Sequence, residues 1–275
     1  VMTQPSIISI SNDGEWQQLG SLFETVYGRD DARLWRVFHS REPFFRRQYS
    51  RAIEVEGSLV CHVAFVPRAM RIGSVIVQAG AIAYVATHPD HRGRGYASAL
   101  MRFWTEKATE DGYHLAYVHG IPDFYDHFGY RFAFPQDVRD PVVSIAVAEI
   151  PDTESNYHVR CYRSEDLNDL VRLYNEENAT RNGTLNRGEG YWRWLLQGLD
   201  SVGWVKAEDR LVAVTEQDVC VGYLLINRDD RGRTVVWEIA ADDGGSLDAL
   251  LYAASEVAST EDHERLYLRV PLDHP

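Results

Sequence analysis

The stretch Ala83-Tyr84-Val85-Ala86-Thr87-His88-Pro89-Asp90-His91-Arg92-Gly93-Arg94-Gly95-Tyr96-Ala97 decides how the 275-residue chain reads. An apolar, β-prone run enters Arg-Gly-Arg-Gly, and a helical pattern opens directly behind it. Ala97, Leu100, Met101, Trp104 and Ala108 fall on one stripe that ends at Gly112. Glycines let the backbone turn tightly, so successive N–H groups can point into one small concavity. The helix N-terminus adds partial positive charge, which Arg92 and Arg94 reinforce. Those features suit a pyrophosphate. Two other readings compete. A plain strand–turn–helix needs the glycines for the turn alone. A dinucleotide fold would use Gly93-x-Gly95-x-x-Ser98 as its fingerprint, but that fingerprint opens a βαβ unit and wants an acid at the end of the next strand. Here the loop follows an antiparallel pattern, and the next strand ends at His119-Gly120.

Upstream, Asn12-Asp13-Gly14-Glu15 reads as a helix cap, and Trp16, Leu19, Phe23, Val26 and Tyr27 share one helical face. A second short helix is expected over 32–38. Residues 48–87 turn to β patterning, with runs at 52–55, 59–66, 70–78 and 81–87 and hairpin turns at Gly57 and Gly73. Downstream of the helix, strands are expected at 114–119, 130–134 and 142–150, with a short helix around Tyr125. The polar segment 151–157 reads as a boundary. Beyond it the order starts again: a helix with Leu167, Leu170, Val171 and Tyr174 on its face, and a Trp/Tyr cluster at Tyr191, Trp192 and Trp194. Strands follow at 202–207, 210–217, 219–227 and 234–240, then a helix over 247–258 and a strand over 265–270. Val85-Ala86-Thr87 is echoed by Trp237-Glu238-Ile239, and Tyr117 to Pro122 by Tyr267 to Pro271. The chain reads as a diverged tandem duplication.

Composition sets limits. Hydrophobic residues make up 45% and charged residues 25%, the balance of a globular protein. With 28 Lys and Arg against 41 Asp and Glu, the net charge of −13 would repel nucleic acid and mildly favours a basic amine ligand. No apolar run approaches the roughly 20 residues of a membrane span, and Val1 to Pro5 has no signal-peptide character. Three scattered cysteines, Cys61, Cys161 and Cys220, point to a reducing, cytoplasmic setting. His88, His91, His119 and His127 lack a metal-ligand spacing, so no metal is expected.

Pro89-Asp90-His91-Arg92-Gly93-Arg94-Gly95-Tyr96-Ala97 resembles motif A of the GNAT superfamily, the acetyl-CoA-dependent N-acetyltransferases, with its Q/R-x-x-G-x-G/A loop. Gly120-Ile121-Pro122-Asp123-Phe124-Tyr125-Asp126-His127-Phe128-Gly129-Tyr130 resembles the family's motif B, where F/Y-Y-x-x-x-G-F/Y follows strand five. The two motifs have the family's order and separation. The resemblance covers residues 6–134, and the whole chain is similar to tandem-GNAT enzymes including the Eis-type acetyltransferases, whose second domain is a degenerate copy.

The resemblance implies an α/β (α+β) fold of two tandem GNAT-like domains, each a mixed, mostly antiparallel sheet flanked by helices. Residues 1–150 would form the catalytic domain, and 151–275 a degenerate copy that stops before its own motif B. It implies that the backbone of Val85, Ala86 and Thr87 pairs with pantetheine like an added strand, with Val85 near the acetyl carbonyl. Arg92, Gly93, Arg94, Gly95, Tyr96, Ala97 and Ser98 would hold the pyrophosphate of acetyl-CoA. Tyr125 takes the place of the general acid, since a phenol of pKa about 10 can protonate a leaving thiolate. Its other reading is a core aromatic. The implied activity is acetyl transfer to the amine of a small molecule or peptide; the alternative is a non-catalytic acyl-CoA sensor. Eis-type enzymes take their base from a third domain, so the base is unassigned here. Glu24, Glu54 and His62 are candidates, each equally readable as a structural residue, and His119 is a candidate substrate contact. Cys61 reads as a core residue. In the second copy, Ala240-Ala241-Asp242-Asp243-Gly244-Gly245-Ser246 sets two carboxylates where the first has Arg92 and Arg94. A dead copy serving as pocket wall or oligomer interface is expected.

Overall fold

The computed structural model describes residues 6–37, 39–120, 124–133, 143–152 and 156–269. The chain divides into two compact units, Val1–Phe134 with Arg181–Asn186, and Pro135–Thr180 with Arg187–Pro275. Each is built on its own mixed sheet with flanking helices, the α/β class expected from the sequence.

The first unit runs β1 (Ser6–Ser9), α1 (Asp13–Tyr27), α2 (Arg29–Val37), β2 (Ser50–Val55), β3 (Ser58–Ile72), β4 (Val75–Thr87), α3 (Tyr96–Glu110) and β5 (Leu115–Val118). Its strands lie in the order β1-β2-β3-β4-β5, antiparallel except for the parallel pair β4–β5 that α3 connects. Asn12 caps α1 by accepting from the Glu15 N–H at 2.9 Å, and the Glu15 side chain returns to the cap backbone. Neighbouring β2 residues Ala52 and Ile53 belong to different apolar clusters, as strand alternation requires. One cluster carries Leu19, Leu22 and Phe23 of α1 with Ala32 and Trp35 of α2; the other carries Leu100, Met101 and Trp104 of α3. The helices therefore cover opposite faces. Burying each of these large side chains is worth about 1.5–3 kcal/mol, and the Trp104 indole donates to the Val63 carbonyl at 3.0 Å. Beyond Ala64, where β2 ends, Arg181–Asn186 takes up the vacant edge of β3: Arg71 N–H donates to Thr184 O and Gly183 N–H to Arg71 O, each at 2.8 Å.

The second unit runs β6 (Val143–Ala146), β7 (His158–Cys161), α4 (Leu167–Glu177), α5 (Glu189–Val202), β8 (Arg210–Val214), β9 (Cys220–Arg228), β10 (Thr234–Ala241), α6 (Gly244–Thr260) and β11 (Arg265–Leu268). From β7 to β11 its sheet repeats the first: three antiparallel neighbours, then a parallel pair joined across a helix. β6 adds an antiparallel edge on β11, so Val143–Ala146 sits in the second sheet although it precedes the expected boundary at 150.

Several sequence expectations give way. The run at 70–78 contains the Gly73 hairpin, so its two halves belong to β3 and β4. Residues 130–133 form no strand, and Phe134 lies outside the described residues. The run at 202–207 is the end of α5 followed by a loop, because Gly203 closes the helix in the left-handed region at φ 72°. The Trp/Tyr cluster is α5 itself, whose Trp192, Leu195, Leu196 and Leu199 are buried. Among the described residues no helix is long and apolar enough to cross a membrane.

Candidate active site

Pairing between β4 and β5 ends at Ile82↔Val118, and the register gives the last five residues of β4, Ala83 to Thr87, no partner on β5. At that point β4 also bulges. Ala83 pairs with Ala64 and Ala86 with His62, so Tyr84 and Val85 together face Val63. Tyr84 sits at φ 54°, a left-handed conformation uncommon for a bulky residue. Its carbonyl accepts from His62 Nδ1 at 2.8 Å, and the next carbonyl, of Val85, accepts from the Tyr27 hydroxyl at 2.6 Å.

Behind Thr87 the chain makes one 3₁₀ turn, Pro89–His91, and enters the exposed run Arg92 to Gly95. Gly93 and Gly95 stand at φ 74° and 78°, where a Cβ would be strained, and nothing lies within 4 Å of either Cβ position. Gly95 caps α3 without a side-chain hydrogen bond. The first N–H groups of α3 have no intrahelical acceptor, so the helix start is open to an anion. Arg92 Nε reaches back to the Thr87 carbonyl at 3.4 Å, and Arg94 to the Asp90 carbonyl at 3.2 Å, which ties both guanidinium groups beside the turn. Tyr96, Ala97 and Ser98 form the half-buried first turn of α3.

The matching place in the second unit is filled. Asp243 caps α6, accepting from the Ser246 N–H at 2.8 Å, and the Tyr157 hydroxyl donates to its other oxygen at 2.5 Å. Asp242 takes a two-pronged ion pair from Arg172 at 2.6 and 2.9 Å. β10 also bulges, at Trp237, and the following Glu238 is held by Arg187 and by the Tyr223 hydroxyl.

Tyr125 opens the 3₁₀ turn Tyr125–Phe128 and is 9% exposed. It belongs to the apolar cluster against which Val85, Tyr96 and Ala97 pack, so the end of β4, the start of α3 and the tyrosine turn meet. Ala86, by alternation, belongs to the cluster of α1. Burial raises the Tyr125 pKa above the ordinary phenol value; burial and then the neighbouring Tyr125 push Tyr130 up to about 12. Among the described residues the Tyr125 hydroxyl has no hydrogen-bond partner. The phenol is a protonated group whose donor meets no acceptor among the described residues.

The other candidates fare differently. His62 is fully buried, and burial lowers its pKa to about 4, so it stays neutral and out of reach of a substrate amine. Glu24 pairs with Arg29 at 3.0 Å and Arg36 at 3.4 Å. Glu54 is exposed on β2, and His119 is exposed after β5. Cys61 is a core residue with its thiol raised to about 11 by burial. Among the described residues no group of three His, Cys, Asp or Glu side chains is placed to hold a metal ion. Residues 121–123 of the second motif lie outside the described residues. Sequence reasoning took Tyr27 only as part of the apolar face of α1. Its hydroxyl contact lies 58 residues away in sequence and leaves no local pattern.

Residues 8–133 match the acetyltransferase (GNAT) domain family. The GNAT match holds the β4 bulge, the glycine turn and Tyr125. No curated protein matches the chain. Among solved structures it is similar to a probable N-acyltransferase from Enterococcus faecalis, at 15% identity over 97% of this chain and 65% of that one, with a TM-score of 0.74. Eis1 from Mycobacterium abscessus is 17% identical over 99% of this chain and 67% of that one, TM-score 0.67. N-myristoyltransferase from Saccharomyces cerevisiae, solved with myristoyl-CoA bound, is 11% identical over 98% of this chain and 73% of that one, TM-score 0.59. At such identities the likeness concerns the fold. The chain spans less than two thirds of the length of the Enterococcus protein.

Proposed function

We propose that the chain is an acetyl-CoA-dependent N-acetyltransferase acting on a primary amine of a small molecule or peptide. The observation that carries this reading is the open N-terminus of α3, where two left-handed glycines and no capping side chain follow a strand end with no β5 partner. Backbone N–H groups from Gly93 to Ser98 would hold the pyrophosphate, with Arg92 and Arg94 beside it. The free edge of Val85, Ala86 and Thr87 would take the pantetheine as an added strand. The GNAT match over residues 8–133 supports acyl transfer, and the acyl-CoA bound to the yeast neighbour supports a CoA thioester as donor.

In this reading the neutral amine attacks the thioester carbonyl, an N–C bond forms and the C–S bond breaks. The thiolate takes its proton from the Tyr125 hydroxyl, the amine proton leaves to solvent, and solvent returns a proton to the Tyr125 phenolate. The first unit, up to Phe134, serves as the catalytic domain in place of the expected 1–150, and the second unit as a degenerate, Eis-like copy. The repeated strand order and the carboxylates of Asp242 and Asp243 at α6 support that assignment. The free thiols of Cys61, Cys161 and Cys220 fit a reducing, cytoplasmic setting.

The test is incubation of the purified chain with acetyl-CoA and a panel of amines and peptides, reading thiol release and acetylated product by mass. Acetylated product supports the enzyme. Saturable acetyl-CoA binding with no product from any amine overturns the enzyme in favour of an acyl-CoA sensor, and no binding overturns both.

A further inference from the structure

The peptide unit is planar and trans, so a carbonyl held in one direction sends the N–H of the next residue in the other. At the β4 bulge two successive carbonyls are held by side chains from different elements. His62, on β3, holds Tyr84 O at 2.8 Å; Tyr27, at the end of α1, holds Val85 O at 2.6 Å. A carbonyl only accepts, so the His62 hydrogen sits on Nδ1. Its Nε2 is then a bare lone pair, and it is buried without a partner. The ring stands edge-on to Phe23 of α1 at 5.2 Å, which fixes its plane. Burial outweighs the pull of the Tyr84 carbonyl toward the imidazolium and holds the ring neutral, so the donor is constant at neutral pH. Tyr27 is 40% exposed, and a phenol of ordinary pKa near 10 is protonated at neutral pH, so its hydroxyl stays a donor.

We propose that His62 and Tyr27 are positioning residues that lock the Tyr84–Val85 bulge, so that the Val85 N–H is aimed away from His62 and toward the thioester carbonyl. This rests on the acetyltransferase reading, which sets the acetyl group beside Val85. The strained φ of Tyr84 is the second observation behind it. An uncommon backbone conformation persists where its surroundings hold it, and here the holding groups are these two side chains. A preorganised backbone donor aimed at a developing oxyanion is worth about 10²–10³-fold in rate when removed outright. Loosening its aim costs a part of that.

Three variants test the lock. Tyr27→Phe removes only a hydroxyl, His62→Leu removes the donor, and His62→Asn returns an N–H near the place of Nδ1. With an amine substrate, Tyr27→Phe and His62→Leu should each lower kcat about tenfold while KM for acetyl-CoA stays within a few-fold, and His62→Asn should recover most of the loss. The second readout needs no turnover: the Val85 amide resonance, followed by NMR, should shift on adding acetyl-CoA but not CoA in the wild type and His62→Asn. That difference should shrink in Tyr27→Phe. Should His62→Leu fail to fold, the other two variants decide. Wild-type kcat in Tyr27→Phe, or a Val85 amide that responds alike to both ligands, overturns the positioning role. Absence of acetyl-CoA binding to the wild type overturns the acetyltransferase reading as well.

Discussion

A Cβ on Gly120 would lie 2.4 Å from Cε2 of Tyr125 and 2.8 Å from its hydroxyl oxygen. Two residues beyond the end of β5 the chain therefore carries the one residue type that lets the ring settle. In Gly120→Ala the ring must move, because 2.4 Å is far inside van der Waals contact. Overpacking of this kind costs about 1–3 kcal/mol. Thermal unfolding should show that loss, and the acetylation rate should fall alongside it. A variant of wild-type stability and rate would mean that Tyr125 has room the structure does not show.

Tyr125→Phe isolates the proton. The ring stays in its cluster with Tyr130 6.1 Å away, and only the hydroxyl goes. General acid catalysis contributes about 10²–10⁴-fold, so kcat should drop within that range while acetyl-CoA affinity stays within a few-fold. Burial raises the Tyr125 pKa, so the phenol remains protonated below pH 10 and its ionisation should not limit the rate between pH 7 and 9. A Phe variant with wild-type kcat, measured with chemistry rate-limiting, would remove Tyr125 from the mechanism.

The two helix starts predict the stoichiometry. Gly95 leaves α3 open, whereas Asp243 occupies the start of α6 with its own carboxylate. Calorimetric titration should find one acetyl-CoA site per chain. Gly95→Asp should abolish it, because a charged side chain enters the cradle and the φ of 78° disfavours any Cβ. A second site in the wild type, or undiminished affinity in Gly95→Asp, would count against the cradle.

What the sequence made legible follows the range of the interactions. The stripe Leu100, Met101, Trp104 and Ala108 and the cap at Asn12 are local patterns, and both stand as read. The mixed sheet followed from the order of such patterns. The strand expected at 202–207 failed because β-prone Val202, Trp204 and Val205 outweighed a single glycine; in the fold Gly203 ends a helix. Ser6–Ser9 was missed as a strand because its four residues, SIIS, carry too little pattern, and only pairing with β2 makes them one. At the candidate site the glycine turn announces itself in three or four letters. The lock on the bulge does not, since Tyr27, His62 and Val85 come from three elements and His62 alone reads as one more core residue.

His62 also predicts how stability depends on pH. Its folded pKa, about 4, lies below the ordinary value of 6.5 because burial disfavours the charged ring. Between those values the unfolded chain binds a proton that the folded chain does not. Stability from this residue is therefore complete above about pH 6.5, falls as the pH drops toward 4, and levels off below it. Each pH unit in that window is worth about 1.4 kcal/mol, so the wild type should lose about 2 kcal/mol from this source between pH 7 and 5. Carboxylates titrating over the same range are shared with a His62→Asn variant and cancel in the difference. Denaturant unfolding of both proteins at pH 7 and 5 should show the wild type losing about 2 kcal/mol more than the variant. Parallel losses in the two proteins would mean that His62 titrates normally in the fold, and that its ring is neither as buried nor as firmly held on Tyr84 as the bulge geometry requires.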